Sequence, residues 1–366
     1  MSRVAPAQAL RVAVIGGGIN GVMSAWALAK SGHSVDLYER GALMGATSSA
    51  STKLLHGGLR YLENMEFRLV QEGLRERAWW IGQAPHLAHP LEIILPVYDW
   101  SRRPPWMVRI GLGMYHWLSG DRSLGKHRWH NRDALLRLQP DLAPEGLRGG
   151  FTFWDGQMDD RALGLWAAER AREAGVRMHE TAPVERLDAE GGLWLAGKRT
   201  AFDRVVNVAG PWACELLRVS GIASAHTLDL VRGSHLILDR PCPAGVLAEV
   251  QGERRIAFVL PWQGRTLVGT TEERQALDLE PRCSDAERDY MLAFHNRIMR
   301  TPAGASDVVS TFAGLRPLLR SAADPSRATR EYVIEVQGRV TTVLGGKWTT
   351  ARALGEQVAA RVLKGR

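Results

Sequence analysis

Val12–Arg40 reads VAVIGGGINGVMSAWALAKSGHSVDLYER, an apolar strand, a glycine turn, an apolar helix and a second strand that ends on an acid. Gly16, Gly18 and Gly21 supply the G-x-G-x-x-G spacing. Glycines there let the backbone approach a pyrophosphate, and the helix N-terminus presents its free N–H groups to it. Glu39, about 20 residues further on, is placed to hold a ribose hydroxyl pair, and its charge argues against the 2′-phosphate of NADP. Strand, turn, helix, strand and acid in this order predict a dinucleotide-binding unit of Rossmann type.

Working outward, Ala46–Leu62 reads ATSSASTKLLHGGLRYL, a long loop rich in small and hydroxyl residues. Loops of this length are usually functional, and a simple NAD domain has no evident use for one, so the expected dinucleotide is FAD. Pattern assigns the FAD contacts to Gly16, Gly18, Gly21, Glu39, Thr47, Ser48, Gly210 and Gly346. Gly210 follows the short apolar strand Val205–Val208, and Gly346 follows the strand Val340–Leu344. A final helix starting next to Gly346 would turn its N–H dipoles toward negative charge on reduced flavin, with Lys347 adding to the effect.

Periodicity gives helices over Glu66–Ile81, Arg102–Leu118, Arg161–Glu173 and Ala286–Met299. Between His226 and Thr271, VRGSHLIL, RIAFVLPW and TLVGTT are short β-rich runs separated by glycine and proline, as expected of an antiparallel sheet. The fold class is therefore α/β, or α+β overall. A Rossmann-like FAD-binding domain (9–90, 150–225 and 308–366) is interleaved with an antiparallel-sheet substrate domain (91–149 and 226–307).

At 366 residues the chain exceeds the roughly 300 at which single cores divide. With 45% hydrophobic and 23% charged residues it has the composition of a folded globular enzyme, which argues against a disordered one. Cys214, Cys242 and Cys283 are too far apart to suggest a disulfide framework or a zinc site, so no metal is expected and a reducing cytoplasm fits. No run approaches the roughly 18 apolar residues of a spanning helix. The net charge of +8 is read as arginines dispersed along the chain, which argues against nucleic acid.

With these residues in view, the chain resembles the FAD-dependent, respiratory glycerol-3-phosphate dehydrogenases. The resemblance runs through IGGGING, ATSSASTKLLHGGLRYLE, APHLAHP, PWMVRIGLGMY, GPW, VRGSH, LPW, GTT, GLRPL, TREY and GGKWTT. It implies a fold like that of the D-amino-acid-oxidase-like flavoproteins. It also implies oxidation of sn-glycerol 3-phosphate to dihydroxyacetone phosphate, with electrons passing to a quinone. Carried over by position, the substrate pocket comprises Arg60 and Tyr61 of HGGLRY, His235 of GSH, Arg316 of GLRP, Arg330 of TREY and Lys347 of GGK. A phosphate monoester needs several cations in fixed geometry, and those residues supply them. Hydride loss from carbon 2 also needs a base for the hydroxyl proton. Arginine, with a pKa above about 12, cannot serve, whereas histidine titrates near about 6.5; the catalytic set is His235, Arg316 and Lys347, with a hydrogen-bonded core role for His235 as the alternative. His56 stays outside it.

Relative to the family the chain is a short member, stopping at Arg366 where a helical C-terminal domain is expected, and Thr52 replaces a serine. Trp106, Ile110, Met114 and Trp117 fall on one helical face with Arg102, Arg103 and Arg109 nearby, which suits either core packing or an anionic membrane surface. The expected location is cytoplasmic, with peripheral attachment to the inner face of the cytoplasmic membrane left open. Other readings are an oxidase that uses oxygen, a different phosphorylated polyol as substrate, and a flavin-binding subunit without turnover.

Overall fold

The computed structural model describes residues 9–320 and 332–364. Two compact units divide the chain, Met1–Ser49, Asp160–Leu230 and Arg316–Arg366 in the first, Ala50–Asp159 and Val231–Leu315 in the second.

The first unit is built on β1 (Arg11–Ile15), α1 (Ile19–Lys30) and β2 (Ser34–Tyr38). Val12, Ala13, Val14, Val35 and Leu37 are fully buried, as a parallel sheet covered on both faces requires. Its six strands run in the order Tyr332–Gln337, Val340–Gly345, Arg204–Asn207, β1, β2, Arg177–His179. All neighbours are parallel except the edge strand Tyr332–Gln337. The last helix, Ala351–Lys364, approaches α1 so closely that a Cβ on Gly355 would lie 2.5 Å from the Met23 carbonyl oxygen. A separate three-stranded antiparallel sheet spans Arg186–Leu187, Gly192–Leu195 and Lys198–Ala201.

The second unit centres on a ten-stranded sheet. Ala88–Tyr98 pairs antiparallel with Leu147–Met158 along its length, and Ile256–Trp262 with Arg265–Gly269 and Gly245–Glu249. One joint is parallel, Gly245–Glu249 beside Ala88–Tyr98. Ile94, Leu236, Leu238, Val246, Val259 and Val268 form one core face with Met291 and Ile298 of the helix Asp285–Ile298, while Ile93, Phe151, Phe153, Ile237 and Leu260 pack on the other.

The sequence reading draws all four domain junctions elsewhere, the largest shift lying at 50–90; residues 226–230 belong to the first unit and 308–315 to the second. It gives 50–90 and 150–159 to the cofactor domain, but Leu54–Leu55 pairs with Gln157 and Gly156, and Ala88–Tyr98 pairs with the same strand, so backbone hydrogen bonding holds both segments in the second sheet. It also starts the last helix next to Gly346, whereas Lys347–Thr350 form a loop and turn and the helix begins at Ala351. No described helix is long and apolar enough to cross a membrane.

Candidate active site

In the first unit the glycine turn is closed by contacts that no side chain could share. A Cβ on Gly21 would stand 1.9 Å from the Gly16 carbonyl oxygen, and one on Gly16, whose φ is 111°, would stand 2.4 Å from the Val208 oxygen. These approaches lock the end of β1 against the start of α1 and against the residues that lead to Gly210. Glu39 accepts from the backbone N–H groups of Gly17 at 2.6 Å and Gly41 at 2.8 Å. A carboxylate has about four acceptor sites, so the remaining ones suit ribose hydroxyls.

The loop after β2 folds back onto the same turn. Ser48 Oγ accepts from Ile19 N–H at 2.9 Å, a Cβ on Gly18 would lie 2.9 Å from that oxygen, and Trp348 Nε1 donates to the Ser48 carbonyl at 3.0 Å. Thr47 opens the short 3-10 turn Thr47–Ser49. Gly346, at φ 103°, has no room for a side chain against Asn20, and Gly210, at φ 57°, turns the chain into Pro211 and Trp212. The fit to FAD rests on two observations. The N-cap residue of α1, Gly18, supplies no side-chain cap, so beyond the Ile19 N–H held by Ser48 the first N–H groups of the helix face the turn where a pyrophosphate would lie. Asn20 Oδ1 is buried with no hydrogen-bond partner among the described residues, which leaves it for a ligand donor.

In the second unit His235, 2% exposed, lies on Leu228–Leu238 opposite Gly269. Its ring presses on that glycine, where a Cβ would meet His235 Cδ2 at 2.3 Å, and stacks on Phe312 with centroids 4.6 Å apart and planes 11° apart. Nε2 stands 3.2 Å from Thr52 Oγ1. Lys53, itself buried, holds its ammonium 4.7 Å from the Phe312 ring centre and 5.5 Å from that of Trp262. Arg60 and Tyr61 sit on the 3-10 helix Leu59–Asn64, which starts at Gly58 with φ 79°. Arg316, on the strand Val308–Leu319, and Lys347 are both half-buried; Arg330 lies outside the described residues.

Thr52, Lys53 and Phe312 are missing from the sequence-derived set. Lys53 had a signal: it is the one charged residue in Ala46–Leu55, directly before two buried leucines. Phe312 had none, since only folding brings it to His235.

The model of the FAD-dependent oxidoreductases matches residues 11–361. The chain belongs to that family. Among FAD-dependent oxidoreductases it is placed with the glycerol-3-phosphate dehydrogenases. It is 36% identical to the glycerol-3-phosphate dehydrogenase of Synechocystis, over 95% of this chain and 69% of that one. It is also 36% identical to D-erythritol 1-phosphate dehydrogenase of Brucella abortus, over 94% and 72%. A solved glycerol-3-phosphate dehydrogenase from Bacillus halodurans, complexed with FAD, superposes with a TM-score of 0.78 at 26% identity. That match covers 98% of this chain and 65% of the other, so the chain spans about two thirds of the Bacillus protein. FAD is the cofactor of this oxidoreductase.

Proposed function

We propose that this flavoenzyme oxidises sn-glycerol 3-phosphate to dihydroxyacetone phosphate and passes the electrons to a quinone. The relatives named glycerol-3-phosphate dehydrogenase, matched along nearly the whole chain, support the oxidation and name no electron acceptor. FAD, when bound, would supply the hydride acceptor for carbon 2. His235 takes the hydroxyl proton, its ring held in one plane by Phe312 and Gly269 and its Nε2 steered by Thr52. The family resemblance assigns the phosphate to Arg60, Arg316, Arg330 and Lys347, with Tyr61 next to Arg60 in the chain; a charge-assisted bond to a phosphate contributes about 1.5–3 kcal/mol. The Brucella relative favours one further substrate, since D-erythritol 1-phosphate carries the same phosphate on a longer polyol.

Anaerobic addition of substrate to the purified holoprotein tests this. Glycerol 3-phosphate bleaches the flavin absorbance and glycerol does not; bleaching by D-erythritol 1-phosphate alone would reassign the substrate, and bleaching by neither would overturn the reading. Reoxidation by a short-chain quinone faster than by air supports the acceptor, and the reverse result makes the protein an oxidase.

The helix Pro105–Ser119 supports the membrane partner. Val108, Leu112 and Tyr115 fill its buried face, so core packing does not account for the opposite face, where Trp106 is 62% and Trp117 77% exposed beside exposed Ile110 and Met107; Met114 is half-buried. The basic side chains are dispersed along the chain, as the sequence reading has it, but the net charge is not evenly spread. Residues 102–138 hold eight of the 47 basic side chains and two of the 39 acidic ones, a net +6 out of +8. Arg103 is paired with Glu63 and Glu249, but Arg102, Arg109, Arg122, Lys126 and Arg128 are exposed. Tryptophan interleaved with such cations fits the headgroup layer of an anionic bilayer.

A further inference from the structure

Beside the turn His56–Gly58 lies an ion pair in a place that makes ions costly. Arg77, on the helix Phe67–Gln83, and Asp155, on Leu147–Met158, are 1% and 3% exposed and meet through Nη1 and Oδ1 at 2.9 Å. Tyr115, equally buried, donates to Asp155 Oδ2 at 2.8 Å. The same tyrosine oxygen accepts the Gly57 N–H at 2.8 Å. Gly57 is pressed into this contact, because a Cβ there would lie 2.6 Å from Leu74 and 2.7 Å from the Tyr115 oxygen. Gly73 backs it from the next helix, with its own Cβ position 3.0 Å from Gly57 Cα. Burial pushes the Tyr115 hydroxyl well above its ordinary value, with the Asp155 charge adding to the rise. It therefore stays protonated, donating on one side and accepting on the other.

A buried pair of this kind seldom improves stability over apolar residues of equal volume. Arg77 Nε is moreover buried with no hydrogen-bond partner among the described residues. What the arrangement does provide is a fixed acceptor for one backbone N–H, three residues before Arg60. From Gly57 the chain passes through Gly58, whose carbonyl accepts from Tyr61 N–H at 2.8 Å, directly into the 3-10 helix that carries Arg60 and Tyr61. Leu62 of that helix packs with Val70, Leu74 and Tyr115.

We propose that Arg77, Asp155 and Tyr115 form a positioning unit that sets the His56–Gly58 turn and, through it, the orientation of Arg60 and Tyr61 toward the substrate phosphate. The proposal rests on the reading of Arg60 and Tyr61 as substrate-binding residues. Tyr115→Phe deletes one oxygen, removing the Gly57 acceptor and the Asp155 donor together. Tyr98→Phe is the matched control. Tyr98 is also buried in the second unit, and its hydroxyl reaches the carbonyls of Ala143 and Ile298, away from the turn.

In Tyr115→Phe, KM for glycerol 3-phosphate rises about tenfold with kcat within about twofold, as expected when Arg60 and Tyr61 are misaligned for binding and the reacting groups are untouched. Amide hydrogen exchange in the peptide covering 54–62 accelerates by about tenfold or more in the holoprotein. Tyr98→Phe moves neither. Equal loss of thermal stability in the two variants, with KM and the local exchange unchanged in both, would overturn the proposal. If glycerol 3-phosphate fails to reduce the wild-type flavin, the functional reading falls, and the exchange comparison alone then decides whether the unit holds the turn.

Discussion

At the scale of single residues, Glu287 shows how a charge is kept inside the second unit. Burial alone would raise its pKa. The Ser284 backbone N–H, the hydroxyls of Thr271 and Ser234 and the Arg232 guanidinium outweigh that and bring it from 4.5 down to about 2. An acid whose folded value is lowered adds stability above its unfolded value, and that stability is lost as pH falls from about 4.5 through about 2. Glu287→Gln leaves Arg232 short of a counter-charge, so urea unfolding at about pH 7 should show a loss of about 3 kcal/mol. The variant should also show a smaller drop than wild type on going to about pH 3; an unchanged drop would mean that other carboxyls carry the acid sensitivity. Because Ser234 N–H bonds to Thr271 Oγ1, this network holds the backbone next to His235. His235 was a candidate from its G-S-H setting. Glu287 was not: a glutamate at the start of a helix reads as a capping residue, which it also is, and nothing in one dimension shows the arginine and two hydroxyls that fold onto it.

At the scale of elements, β1, its glycine turn, α1 and β2 were readable nearly to the residue, since each glycine answers to one close backbone approach. The last helix was misplaced because Lys347–Thr350 carry no strong stop or start signal, and the turn they make is fixed by Trp348 reaching the Ser48 carbonyl from 300 positions away. The helix Pro105–Ser119 was legible as amphipathic but not as to which of its two apolar stripes faces inward. Val108, Leu112 and Tyr115 settle that. Full burial of an exposed large apolar side chain contributes about 1.5–3 kcal/mol, so Trp106→Glu should sharply reduce flotation with anionic liposomes. Neutral liposomes should retain the wild type weakly. Equal flotation of variant and wild type on anionic vesicles would remove this helix from the interface.

At the scale of the whole molecule, the interleaving of two units was visible in the sequence as a change of periodicity and a return to the strand-glycine pattern at Val340–Gly345. The misplaced junction at 50–90 arose because a two-residue strand, Leu54–Leu55, declares its sheet only through its partner. Cofactor binding should be felt through the whole fold. FAD held at a hundredfold over its dissociation constant adds about 2.7 kcal/mol to the folded state, so stripping it should lower the melting temperature by about 3 °C or more; an unchanged value would mean that FAD does not bind the folded protein in preference to the unfolded chain. The order of segments has one more consequence. The eight FAD-contact residues assigned from the sequence all lie in 1–49, 160–230 and 316–366, so the chain leaves the first unit twice, for 50–159 and 231–315, and returns to it each time. A segment exchanged at either pair of junctions would therefore alter the second unit and leave uncut the strands and the glycine turn that carry those eight residues.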